Sequence, residues 1–152
     1  MQPRINVSIV PGGYKALLGL EQYLASCGLD RKLLNLVKLR ASQVNGCAYC
    51  IDMHWKDLRA EGETEQRLYG LDAWRESPYY TDRERSALEW TEAVMLITHG
   101  HVPDSVFESM HVHFNEKELA DLTLAIATIN AWNRMAISLR AVPGEYRPAT
   151  KQ

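Results

Sequence analysis

"NGCAYCIDMHW", residues 45–55, holds two of the chain's three cysteines three positions apart, and a histidine follows the second by four. On a helix, Cys47 and Cys50 are i,i+3 and Cys50 and His54 are i,i+4, so all three side chains share one face. Asn45-Gly46 breaks or kinks a preceding helix, and a new one is predicted from Gly46 or Cys47 to about Ala60. A thiol in the first turn of that helix meets free backbone N–H groups and the positive end of the helix dipole, which favour the thiolate. His54 is then placed to act as a base or as a hydrogen-bond donor to a sulfur. A dithiol with a nearby imidazole suits thiol–disulfide chemistry: one sulfur becomes a sulfenic acid on meeting a peroxide, and the other condenses with it. Two other readings stay open, a metal clip and a pair of inert core cysteines. A structural zinc site needs four ligands. This stretch supplies three, leaving His99, His101, His111 or His113 to donate a fourth.

The rest of the chain sets the context. Its 152 residues are 46% hydrophobic and 24% charged, with a formal net charge of −2, as expected for one soluble domain. No basic patch points to nucleic acid. No leader-like apolar run opens the sequence, and "LADLTLAIATINAW" is too short and polar to span a bilayer, so a cytoplasmic protein is expected. In that compartment a close cysteine pair is more often redox-active or metal-binding than a structural staple.

Hydrophobic periodicity predicts an all-α domain of about seven helices over residues 1–152, with a core at about 14–140. The first covers Tyr14–Cys27 and stops at Gly28. Asp30 caps the second, and Cys47–Ala60 is the third. The fourth runs from Thr64 to Arg75 before Ser77-Pro78. Thr81 with Glu84 makes a capping box for a fifth helix to Thr98, and Pro103 suits the first turn of a sixth to Phe114. Asn115 with Glu118 caps a seventh to Arg140. Only "INVSIV" near the start alternates like a strand. Leu119, Leu122, Ala125, Ile126, Ile129, Trp132, Ala136 and Ile137 cover more than one stripe of the seventh helix. It is therefore expected to be a central core helix or one buried against a second subunit.

"LVKLRASQVNGCAYCIDMH" (36–54), with "AEGETEQRLYGLDAWRESP" (60–78) and "LTLAIATINAWNR" (122–134), resembles the AhpD-like alkylhydroperoxidases of the carboxymuconolactone decarboxylase superfamily. The resemblance covers about residues 30–140 and implies an AhpD-like helical bundle assembling into trimers or hexamers. It implies a peroxidase that reduces alkyl hydroperoxides through a redox-active dithiol and is recharged by an external thiol reductant, with no organic cofactor and no metal. Carried over, Cys50 is the peroxide-attacking thiol, Cys47 the more accessible resolving thiol, and His54 part of a proton relay. The family's relay often has a glutamate twelve positions before the first cysteine, where this chain has Asn35. It also has a histidine between the cysteines, where this chain has Tyr49. An amide neither takes up nor releases a proton at neutral pH, so Glu21 or Glu89 is left to supply a carboxylate from elsewhere. Gln43, Asn133 and Arg134 are further candidates for pocket or supporting roles. The superfamily also contains lactone decarboxylases, which need no cysteine pair. An oligomeric redox-sensing or binding protein is the non-enzymatic alternative.

Overall fold

The computed structural model describes residues 2–148. Seven α-helices occupy them: α1 (Pro11–Leu24), α2 (Arg31–Asn45), α3 (Ala48–Ala60), α4 (Glu65–Tyr69), α5 (Asp82–Met95), α6 (Asp104–Met110) and α7 (Glu116–Leu139). One short 3-10 turn precedes α1 and two others lie between helices, and there is no strand among the described residues. No helix among them is long and apolar enough to cross a membrane.

The helix starts follow their capping residues. The Asp30 carboxylate accepts from the Leu33 amide at 2.9 Å, and reciprocal capping boxes form at Thr81/Glu84 and Asn115/Glu118. Four predicted segments come out differently. "INVSIV" contains a 3-10 turn, Val7–Ile9, capped by Asn6, because no neighbouring strand exists to satisfy an extended backbone. The fourth helix stops at Tyr69. Gly70 packs so closely that a Cβ there would sit 3.0 Å from the Gln66 carbonyl oxygen, and a 3-10 turn, Leu71–Ala73, then delivers Trp74 into the core. The fifth helix ends at Met95, with the 3-10 turn Ile97–His99 beyond it, and Pro103 stands just before the sixth rather than in its first turn.

The central helix is α2, not α7. Residues Leu33 through Leu39 are buried without interruption, together with Ala41 and Ser42. Helices α3, α5 and α7 pack around it. Burial on every side of one helix is possible in so small a bundle only if its neighbours are amphipathic. α7 is one of these: Leu119, Leu122, Ala125, Ile126 and Ile129 are buried, whereas Trp132 and Ala136 are half-buried and Ile137 is exposed. The apolar character of its last turns therefore exceeds what this chain alone covers.

The α2–α3 junction determines where the cysteines lie. Gly46 adopts a left-handed conformation (φ 68°), and its amide and that of Cys47 donate to the carbonyls of Gln43 and Ser42 at 3.1 and 3.0 Å. These bonds satisfy the last carbonyls of α2 and turn the chain sharply into α3. A residue with a Cβ is disfavoured at that φ, which is why glycine stands there.

Candidate active site

Cys47 is the N-cap of α3. Its Sγ accepts from the Cys50 amide at 3.4 Å, occupying the place a serine or aspartate oxygen usually fills. The two sulfurs are joined in a disulfide, with Cα atoms 5.4 Å apart. The one-faced geometry expected from the spacing is therefore present. Cys50, His54 and Leu58 form the single buried stripe of α3.

A cavity of about 760 Å³ opens beside this stripe. Helix α3 contributes Tyr49, Cys50 and His54 to its wall. Tyr14 and Glu21 come from α1, Asn35 and Lys38 from α2, and Trp132 from α7. Pro3, Ile5 and Val7 cover one side, held by amides of Arg4 and Ile5 that donate to the Leu139 carbonyl at 2.9 and 3.5 Å. Burial of the Tyr49 ring, with Tyr14 and Asp52 nearby, raises its phenol above the ordinary value.

His54 is 5% exposed, and neither ring nitrogen has a hydrogen-bond partner. Removal from water, with a smaller push from the Lys38 ammonium, lowers its pKa to about 3. The imidazole is thus neutral throughout the physiological range. One ring nitrogen is free to accept a proton and the other to donate one.

Both cysteines are buried in this chain, Cys47 at 1% and Cys50 at 2%, and Cys50 borders the cavity. Both sulfurs belong to the small apolar cluster with Ala41 and Ile129, between α2 and α7.

Asn35 borders the cavity, but its Nδ2 donates to Glu61 Oε1 at 3.2 Å. Of the two carboxylates considered as replacements, Glu21 lines the cavity and Glu89 does not. Gln43 lies outside it, accepting from Arg40 Nη1 at 3.3 Å. The amide is carried away because α2 turns its Gln43 face toward α5 and the Arg40–Glu92 ion pair. Arg134 is exposed and bonded to Asn130 on its own helix, so it too is not at the cavity. Asn133 is fully buried behind the site. Its Nδ2 donates to Ser42 Oγ at 3.1 Å and its Oδ1 accepts from Asn45 at 2.9 Å, tying α7 to the end of α2.

Lys38 escaped the sequence reading. Its signal is a lysine in the apolar run "LLNLVKLRAS", four positions after Leu34 and three before Ala41, on a stripe that should be buried. Among the described residues no group of three or more His, Cys, Asp or Glu is arranged to hold a metal ion. His99, His101 and His111 are exposed on the far loops. Cys27 is a free thiol, half-buried at the end of the first helical segment.

Comparison with known proteins agrees with this architecture. The Carboxymuconolactone decarboxylase family model matches residues 11–93, more than half of the chain. The uncharacterised YdfG protein of Bacillus subtilis (strain 168) is 44% identical over 140 residues, covering 91% of this chain and 95% of YdfG. A crystal structure of ATU0492 from Agrobacterium tumefaciens, a protein of unknown function described as an AhpD antioxidant defence protein, superposes with a TM-score of 0.92. It is 42% identical, over 95% of this chain and all of that one. The AhpD core of a peroxidase-related protein from Ralstonia eutropha JMP134 has the same fold, with a TM-score of 0.79 at 22% identity over 89% of this chain and 72% of that one. The chain belongs to the carboxymuconolactone decarboxylase family and is an AhpD-like member of it.

Proposed function

We propose that this protein is a dithiol peroxidase that reduces organic hydroperoxides, with Cys50 as the attacking thiol and Cys47 as the resolving one. The observation that carries the reading is the bonded Cys47–Cys50 pair whose second sulfur borders an apolar-walled cavity beside an unpartnered, neutral imidazole. The descriptions of the Agrobacterium and Ralstonia proteins as antioxidant and peroxidase-related support it.

In the reduced protein, His54 accepts the Cys50 thiol proton. The thiolate attacks the terminal oxygen of the hydroperoxide, forming an S–O bond as the O–O bond breaks. The departing alkoxide takes the proton from His54 and leaves as an alcohol. The Cys47 thiol then attacks the sulfenic sulfur of Cys50, an S–S bond forms and water departs. An external dithiol reduces the disulfide by exchange, so the electrons pass through the two sulfurs and no organic cofactor is required. Cys47, though buried, needs to reach only Cys50, three residues away. A lactone decarboxylation leaves the dithiol without a role.

The exposed apolar side chains of Tyr14, Leu18 and Ile137 support a homo-oligomer of the trimer or hexamer kind, which light scattering would measure. The activity is tested with tert-butyl hydroperoxide and dithiothreitol as substrate and reductant. Wild-type protein should consume the hydroperoxide catalytically, and Cys50→Ser should fall to the uncatalysed rate. Undiminished consumption by Cys50→Ser would overturn the assignment.

A further inference from the structure

The position of the family's relay glutamate holds Asn35, and its amide is turned to Glu61. Any fixed charge at the site must come from elsewhere. Lys38 is one helical step beyond Asn35, and its side chain is only 8% exposed. A buried ammonium persists only with a partner. Here the partner is the Glu21 carboxylate on α1, whose other oxygen accepts from Trp132 Nε1 at 3.1 Å.

The pair is asymmetric. Glu21 is 29% exposed and Lys38 is not, so water screens the anion more than the cation. Lys38 lines the same cavity as Cys50 and His54, and its ammonium adds to the lowering of the His54 pKa that burial causes.

Two other charged groups line the wall: the Asp57 carboxylate, half-buried on α3 and accepting from the Tyr146 hydroxyl at 2.7 Å, and the mostly exposed Arg31, paired with Glu61. Tyr14 and Tyr49 are phenols. α7 and the N-terminal segment bring no charged side chain to the cavity.

We infer that Lys38, held by Glu21 and Trp132, is a positioning residue of this site: its ammonium is the fixed cation that favours Cys50 as a thiolate. The inference rests on the dithiol reading, in which Cys50 must ionise to act. It assigns to a lysine on α2 and a glutamate on α1 the electrostatic work that Asn35 cannot do.

The test is the pH profile of Cys50 alkylation by iodoacetamide in the reduced protein, assigned to Cys50 rather than Cys47 by fragment-ion masses of the peptide that carries both. Lys38→Met should move the midpoint up by about one pH unit, roughly tenfold slower alkylation at neutral pH. Lys38→Arg keeps a cation that cannot lose its charge, and should leave the midpoint near the wild-type value. A shift seen on losing the charge and rescued by the arginine ties the effect to the cation. Should Lys38→Met not fold with Glu21 left unpaired, the double variant Glu21→Gln/Lys38→Met should show the same upward shift. An unchanged midpoint in Lys38→Met or the double variant, or an upward shift in Lys38→Arg as large as that in Lys38→Met, would overturn the inference. No hydroperoxide enters this assay. Inactivity toward hydroperoxides with these shifts intact would count against the peroxidase reading alone.

Discussion

Asn35 donates to Glu61 at 3.2 Å and makes no hydrogen bond to His54, whose two ring nitrogens are both unpartnered. Asn35 is therefore a supporting residue of the cavity wall rather than a link in a proton relay. Asn35→Ala should cost about 1 kcal/mol, because Glu61 keeps Arg31 at 2.6 Å. Asn35→Glu should cost more, and increasingly so as pH rises from 5 to 8. Its carboxylate meets that of Glu61, whose Oε2 is already buried without a partner. Like charges raise the folded pKa above the unfolded one, so the folded form binds the extra proton and loses stability when that proton is removed. Thermal melts of both variants at the two pH values measure this. A pH-independent deficit in Asn35→Glu would contradict it.

His54 gives the fold a pH dependence of the opposite sense. Its pKa is about 3 folded and near 6.5 unfolded, so between these values the unfolded chain binds the extra proton. Stability from this residue is complete above pH 6.5 and is lost as pH falls toward 3. From pH 7 to pH 5 the loss attributable to it is about 2 kcal/mol. Urea unfolding of the oxidised protein should show that loss in wild type, beyond whatever loss His54→Leu retains. Equal pH dependence in the two would place the imidazole in water.

Asn133 joins α7 to Ser42 and Asn45, next to the turn that presents the cysteines. Asn133→Leu removes both bonds, although Ser42 Oγ keeps the Lys38 carbonyl and Asn45 keeps Asn130, and should cost about 1–2 kcal/mol, read from chemical denaturation. Gln43→Ala and Arg134→Ala touch neither the cavity nor the disulfide. Both should alkylate and turn over hydroperoxide at wild-type rates.

The sequence made the local features of this site legible and hid the distant ones. The Cys47, Cys50 and His54 stripe followed from helical spacing, and the capping boxes at Thr81 and Asn115 followed from short-range chemistry. Lys38, Glu21 and Trp132 come from three helices, and only tertiary packing brings them to one wall. The apolar run of α7 was legible, but its depth was not. Hydropathy records what a helix prefers to bury, whereas α2 is central because its neighbours surround even its asparagine and lysine. Gly70 is too close to Gln66 to be read from composition, so the break after α4 was not visible.

The most direct test of the account is the fate of the two thiols. Cys47 and Cys50 lie on one tryptic peptide, between Arg40 and Lys56. Reduced protein given one equivalent of hydroperoxide should lose two thiols per chain, and that peptide should lighten by about 2 Da as the disulfide forms. Cys50→Ser should keep its remaining Cys47 thiol. If wild-type protein keeps both thiols while hydroperoxide is consumed, or if Cys27 alone is oxidised, the dithiol is not the redox centre.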